Sequence, residues 1–126
     1  DRLLSRGLGD VYKRQPLTIV DDQFRSPTWA DDLAMGCWLI AEKNAAGIFH
    51  LSGKDFMSII DLVKRVAEFF NLDASNVAPI KSETLNQAAK RPPVTGFVLD
   101  KANKILGYEP LSFEEGLEQL KKELNQ

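Results

Sequence analysis

The stretch Asp22-Gln23-Phe24-Arg25-Ser26-Pro27-Thr28-Trp29-Ala30-Asp31-Asp32-Leu33-Ala34 decides the reading of this chain. Before it, Leu17-Thr18-Ile19-Val20 is a short β-branched run, the pattern of a strand that ends at the carboxylates of Asp21 and Asp22. Pro27 interrupts regular structure. Thr28, followed three positions later by Asp31, has the form of a capping box. A helix is predicted from about Trp29 to Asn44. Leu33, Cys37, Ile40 and Ala41 share one of its faces, and Met35, Trp38 and Leu39 widen the apolar surface. Such a helix is expected to be buried on more than one side. Gly36 within it suits a close backbone approach.

Working outward, Ala46-Gly47 makes a turn and Ile48-Phe49-His50-Leu51 reads as a buried strand. Ser58 with Asp61 caps a second predicted helix, about Ile59 to Phe70, whose buried face is Leu62, Val63, Val66, Ala67 and Phe70. Val77-Ala78-Pro79-Ile80 is a short strand, and Pro79 argues against a central place in a sheet. Arg91-Pro92-Pro93 must be extended, because proline fixes its own backbone and bars the preceding residue from the helical region. Asp100 is expected to cap a short helix from Lys101 to Leu106, closed by Gly107. Ser112 and Glu115 form a third capping box. The helix after it runs from Phe113 to Leu124, with Phe113, Leu117, Leu120 and Leu124 as its stripe. Strands alternating with helices are an α/β pattern. Three short strands make an incomplete sheet, so the chain is expected to be part of a larger architecture.

Residues 1–15 differ in character. They carry four basic and two acidic residues, whereas the whole chain has a net charge of -2. Asp10-Val11-Tyr12-Lys13-Arg14-Gln15 is what GAT GTG TAT AAG AGA CAG encodes, the transposon end used to tag DNA for sequencing. The expectation is a non-native, adaptor-derived segment at 1–15 and one native region at 16–126. The alternative is a genuine basic arm or a lone amphipathic helix.

The bulk composition excludes several functions. A net charge of -2 supplies no electrostatic reason for nucleic-acid binding. No apolar run reaches the length of a membrane span, and the start of the chain lacks a signal peptide's apolar stretch. One cysteine, Cys37, and one histidine, His50, cannot build a zinc site of those residue types. A lone cysteine also excludes an internal disulfide and suits a reducing cytoplasm. Cys37 is read as a core residue, and His50 as a hydrogen-bonded structural histidine. Asp31 and Asp32, adjacent on a helix, point about 100° apart. They are read as helix-terminal carboxylates, not as a pair sharing a proton.

Four features in order resemble the dTDP-4-dehydrorhamnose reductases and their relatives in the extended short-chain dehydrogenase/reductase family. They are Asp22-Gln23 leading to Pro27-Thr28, the Gly47-Ile48-Phe49-His50-Leu51 run, Arg91-Pro92 followed by Leu99-Asp100, and the tail from Leu106-Gly107-Tyr108-Glu109-Pro110 to Ser112-Phe113-Glu114-Glu115-Gly116. The resemblance covers Pro16 to the C-terminus. It implies the substrate-binding part of a Rossmann-type enzyme whose N-terminal dinucleotide-binding domain is missing here. The glycine fingerprint and the Tyr-x-x-x-Lys pair of the family are absent from this sequence.

The resemblance also implies site residues. Arg25 precedes Asp32 by seven positions, as in relatives whose corresponding arginine contacts a nucleotide-sugar diphosphate. Arg91 lies where relatives place a second arginine near the same group. A guanidinium suits this role because its planar donors meet phosphate oxygens in pairs. Gln23 and Thr28 are further substrate-binding candidates, with Trp29 and Lys90 as weaker ones. The resemblance assigns no catalytic, cofactor or metal residue to this chain. NAD(P)H is the cofactor expected of the intact protein, with Mg²⁺ left open. The expected partners are a nucleotide sugar, the Rossmann domain and a second copy of the parent protein. The alternatives are a non-catalytic binding protein on the same fold, like the regulatory subunit of methionine adenosyltransferase, and a self-contained interaction domain.

Overall fold

The computed structural model describes residues 16–85, 89 and 91–125. The segment 1–15 and Lys90 therefore lie outside the described residues.

The architecture is mixed α/β. Strand β1 (Leu17–Val20) pairs in parallel with β4 (Val77–Ile80), in a register that sets Leu17 opposite Val77 and Val20 opposite Ile80. A second pair, β2 (Phe24–Arg25) and β3 (Met57–Ser58), is antiparallel, with Phe24 opposite Ser58. Four helices complete the order: α1 (Ala30–Glu42), α2 (Ile59–Phe69), α3 (Asp100–Leu106) and α4 (Phe113–Leu124). A 3-10 turn at Ser82–Leu85 follows β4. Each sheet has only two strands among the described residues, so neither is a complete α/β layer.

The amphipathic helices form as their sequences dictate. Ser58 accepts the Asp61 backbone N–H at the start of α2. Ser112 and Glu115 make the full reciprocal capping box of α4. Helix α2 lies against β1, and α4 against α2. Ala67 and Leu117 are their most buried positions, and Leu124, at the end of the α4 stripe, is exposed. The main core sits elsewhere, around Ala102, Leu106 and Tyr108, which are 1–2% exposed and wrapped by Leu39, Ile40, Phe49, Leu51 and Leu99. Burying a leucine such as Leu106 contributes about 1.5–3 kcal/mol. Gly107 closes α3 in the left-handed region, at φ 68°.

Several expectations need correction. Ile48 to Leu51 is not a strand: it has no ladder partners, and its side chains Phe49 and Leu51 serve the Tyr108 core. Helix α1 starts one residue later and ends two earlier than expected. Its N-cap is Trp29, with no side-chain cap, because the Thr28 hydroxyl is engaged elsewhere. Asp100 is the first helical residue of α3 and Leu99 its N-cap. The breadth of the apolar surface of α1 misled most. Gly36 is its only buried residue, while Leu33, Met35, Cys37 and Trp38 are exposed. His50 is exposed and stacks on Phe97, with ring centroids 4.8 Å apart.

Candidate functional site

The signature segment folds as the middle of a small ladder. On one side, β2 pairs with β3, and the Gln23 carbonyl accepts the Ile59 N–H at 3.0 Å. On the other side lies the segment after the two prolines. The Phe24 N–H donates to the Pro93 carbonyl at 2.7 Å, and the Thr95 N–H to the Phe24 carbonyl at 3.1 Å. Phe24 and Val94 thus form a parallel bridge. Residues 70 positions apart in sequence become neighbours through this two-residue strand.

Arg25 reinforces the junction. Its Nη1 donates to the Phe24 carbonyl at 2.6 Å and the Pro93 carbonyl at 3.2 Å. Its Nη2 donates to Gln23 Oε1 at 3.2 Å and the Pro92 carbonyl at 2.9 Å. Gln23 is buried, at 6% exposed, so its side-chain oxygen needs the partner that Arg25 provides. Arg91 is exposed and immediately precedes the two prolines whose carbonyls Arg25 holds. Of the four sequence-predicted site residues, Gln23 and Arg25 are in direct contact, and Arg91 adjoins the loop that Arg25 holds.

Thr28 has a different job. Its hydroxyl donates to the Ser26 carbonyl at 3.0 Å and accepts the Gly53 N–H at 2.8 Å. The contact demands glycine at position 53, since a Cβ there would lie 2.0 Å from the Pro27 carbonyl oxygen. Thr28 so fixes the Ser52-Gly53 loop against the signature. The same loop is held from behind by Tyr108, whose buried hydroxyl donates to the Ser52 carbonyl at 3.1 Å. Burial, with the Asp32 carboxylate as a lesser cause, pushes the Tyr108 phenol above its ordinary value. Trp29 lines a groove of about 170 Å³ together with Pro27, Thr28, Phe113 and Leu117.

Sequence reasoning missed four carboxylate anchors. Asp32 accepts the Leu111 N–H at 3.0 Å and Asp55 accepts the Phe113 N–H at 2.6 Å, together fixing the approach to α4. Asp22 accepts the Ser82 N–H and hydroxyl, which holds its carboxyl below the ordinary value. Asp21 pairs with Lys81 at 2.9 Å, and that contact holds the ammonium above its ordinary value. Each partner is far away in sequence except through the strand pairing, so no local pattern announced them. An exposed aromatic patch borders the ladder: the Phe24 and Phe56 rings stack at 5.8 Å, and Gly96 passes so close that a Cβ would be 3.0 Å from the Phe56 ring.

The described residues do not fit a dinucleotide. A pyrophosphate is held by a glycine-rich turn at a helix N-terminus. Here β1 is followed by Asp21 and Asp22, and the first turn of α1 carries Asp31 and Asp32. Those carboxylates would repel a phosphate. Among the described residues no group of three or more His, Cys, Asp or Glu converges as a metal site, and no helix is long and apolar enough to cross a membrane.

Comparison with known proteins agrees with this arrangement. The family model described as the RmlD substrate binding domain matches residues 5–126. A dTDP-4-keto-6-deoxy-D-glucose reductase of Streptomyces niveus is 29% identical over 82 residues, 65% of this chain and 28% of that protein. The methionine adenosyltransferase 2 subunit beta of Danio rerio is 34% identical over 80 residues, 60% of this chain and 25% of that protein. The chain thus spans only about a quarter of the length of these relatives. Among solved structures, the dTDP-4-dehydrorhamnose reductase of Bacillus anthracis, in complex with NADP, superposes with a TM-score of 0.77 at 28% identity, covering 89% of this chain and 40% of that one. The UDP-glucuronic acid 4-epimerase of Bacillus cereus, in complex with UDP-glucuronic acid and NAD, gives 0.67 at 29% identity, covering 86% and 35%. The α/β fold is that of the extended short-chain dehydrogenases, and this chain belongs to the RmlD substrate-binding domain family.

Proposed function

We propose that this chain is the nucleotide-sugar-binding part of an NAD(P)-dependent reductase of the dTDP-4-dehydrorhamnose reductase type, inactive by itself. One observation carries the reading: the Arg25 side chain joins the signature strand to the carbonyls of Pro92 and Pro93, the two residues that follow the exposed Arg91. Arg91 meets the substrate diphosphate directly. Arg25 holds the loop from behind, and Gln23 and Thr28 fix the strand and turn on which the site is built. The likeness to the Streptomyces niveus and Bacillus anthracis reductases supports the substrate class.

Reduction of a keto sugar needs a hydride donor and a proton donor held in register with the substrate. Tyr108, the only tyrosine among the described residues, spends its hydroxyl on Ser52 in the core. The dinucleotide and the acid therefore belong to another part of the protein, against which the exposed face of α1 would pack. What this chain does in the reaction is bind and orient. A second reading, a binding protein without catalysis, is favoured by the 34% likeness to the methionine adenosyltransferase subunit. It uses the same diphosphate site and differs in lacking turnover once the rest of the protein is supplied.

Calorimetric titration with dTDP and UDP tests the shared core of both readings. Arg91→Ala should weaken binding by about 1–3 kcal/mol, the scale of a hydrogen bond to a charged group. Equal affinity of the variant and the parent chain would sink the assignment.

A further inference from the structure

The two arginines are not equivalent. A guanidinium has five N–H groups, four of them on its terminal nitrogens. In Arg25 those nitrogens make four contacts, to the carbonyls of Phe24, Pro92 and Pro93 and to Gln23 Oε1. A phosphate ligand needs those same donors free. Arg91, by contrast, is exposed at the loop that Arg25 holds.

The loop has a chemical reason to need such a partner. Pro92 and Pro93 have no N–H, so the segment offers carbonyls and almost no donors to a neighbouring strand. The carbonyls of such a segment stay solvated unless a donor comes from outside. The Phe24 N–H supplies one donor to Pro93. The planar fork of Arg25 supplies the others, reaching two successive carbonyls at 2.9 and 3.2 Å while Gln23 fixes its orientation. A lysine, with one nitrogen on a flexible stem, cannot reproduce that spread.

We infer that Arg25 is a positioning residue, a strut that orders the 91–95 loop and so aims Arg91, and is not itself a ligand of the diphosphate. The inference rests on the nucleotide-sugar reading for what Arg91 binds, but the strut is testable without any ligand. Amide hydrogen exchange on the full chain reads the order of the loop. In Arg25→Ala and in Arg25→Lys the Phe24 and Thr95 amides should exchange about tenfold faster or more, since local opening loses hydrogen bonds to a charged donor. The Gly107 amide, in the separate Tyr108 core, should keep its rate. Wild-type protection at Phe24 and Thr95 in both variants would overturn the strut. So would wild-type protection in Arg25→Lys alone, since charge would then suffice. If Arg25→Ala unfolds the chain, the lysine variant carries the test.

Binding of dTDP supplies the readout that a purely structural role would not move. Arg25→Ala should weaken binding in the parent chain yet cost nothing further in an Arg91→Ala background, because it acts through Arg91. An additional loss of about tenfold in that background would make Arg25 a direct ligand and overturn the inference. No binding of dTDP by the parent chain would instead refute the nucleotide-sugar reading and leave the strut to the exchange result.

Discussion

Helices α1 and α4 are nearly the same length, 13 and 12 residues, and are built on opposite plans. Helix α4 has a closed capping box, a buried Leu117 and a charged outer face. Helix α1 has no side-chain cap, and its apolar residues surround it on nearly all sides, yet only Gly36 is buried. Gly36 is buried because the helix backbone crosses Leu51 and Tyr108 closely, where a Cβ would lie 2.6 Å from Leu51 Cδ1. The opposite side, with Met35 53% and Trp38 54% exposed, faces no described residue that covers it. An amphipathic sequence reports where its own domain lies. A helix that is apolar all round reports a demand for cover, and says nothing of whether the same chain meets it.

Three substitutions sharpen that contrast. The largest effect belongs to the core that α1 does touch. Leu106→Ala removes a side chain that is 1% exposed and should cost about 2–5 kcal/mol in urea unfolding. A loss below 1 kcal/mol would mean that α1 and α3 are not packed as described. Next comes the cap of α4: Ser112→Ala should lower stability by about 1 kcal/mol, with helicity lost by circular dichroism at the C-terminal end. The smallest effect is expected on the open face of α1. Trp38→Ser should change stability by no more than about 0.5 kcal/mol while reducing self-association in sedimentation, because it breaks an exposed apolar patch. A large destabilisation would show that Trp38 is covered within this chain.

Much of the fold was legible before any coordinates. Helices α2 and α4 announce themselves by period, by Ser58 and Ser112, and by the charges opposite their stripes. Strand β1 and its partner β4 are short runs read as strands from the sequence, and β4, which holds Pro79, pairs with β1 alone among the described residues. Strands β2 and β3 were not legible, because two residues carry no period. Ile48 to Leu51 looked like a buried strand for a sound reason: two of its three apolar side chains, Phe49 and Leu51, do go inside. Burial alone, however, does not supply a ladder partner.

The candidate site was legible in composition but not in arrangement. Gln23, Arg25 and Arg91 could be named from the sequence and from what it resembles. That Arg25 would reach the carbonyls of Pro92 and Pro93 could not, since it depends on a bridge between Phe24 and Val94. Thr28 shows the complementary failure. Its place before a helix suggested a cap, but a hydroxyl can serve only a few partners, and a loop 25 residues away claimed it.

The β1–β4 pairing has a consequence for how this chain must assemble. Strands that run parallel cannot be joined by a tight turn, and the carboxylate of Asp22 meets Ser82 across a separation of 60 residues. The capped helices gain their hydrogen bonds within a few positions of each residue, whereas this small sheet gains nothing until a long loop has closed. Topology therefore ties this four-residue ladder to the closing of a long loop, and the Asp22–Ser82 clasp stands at its end.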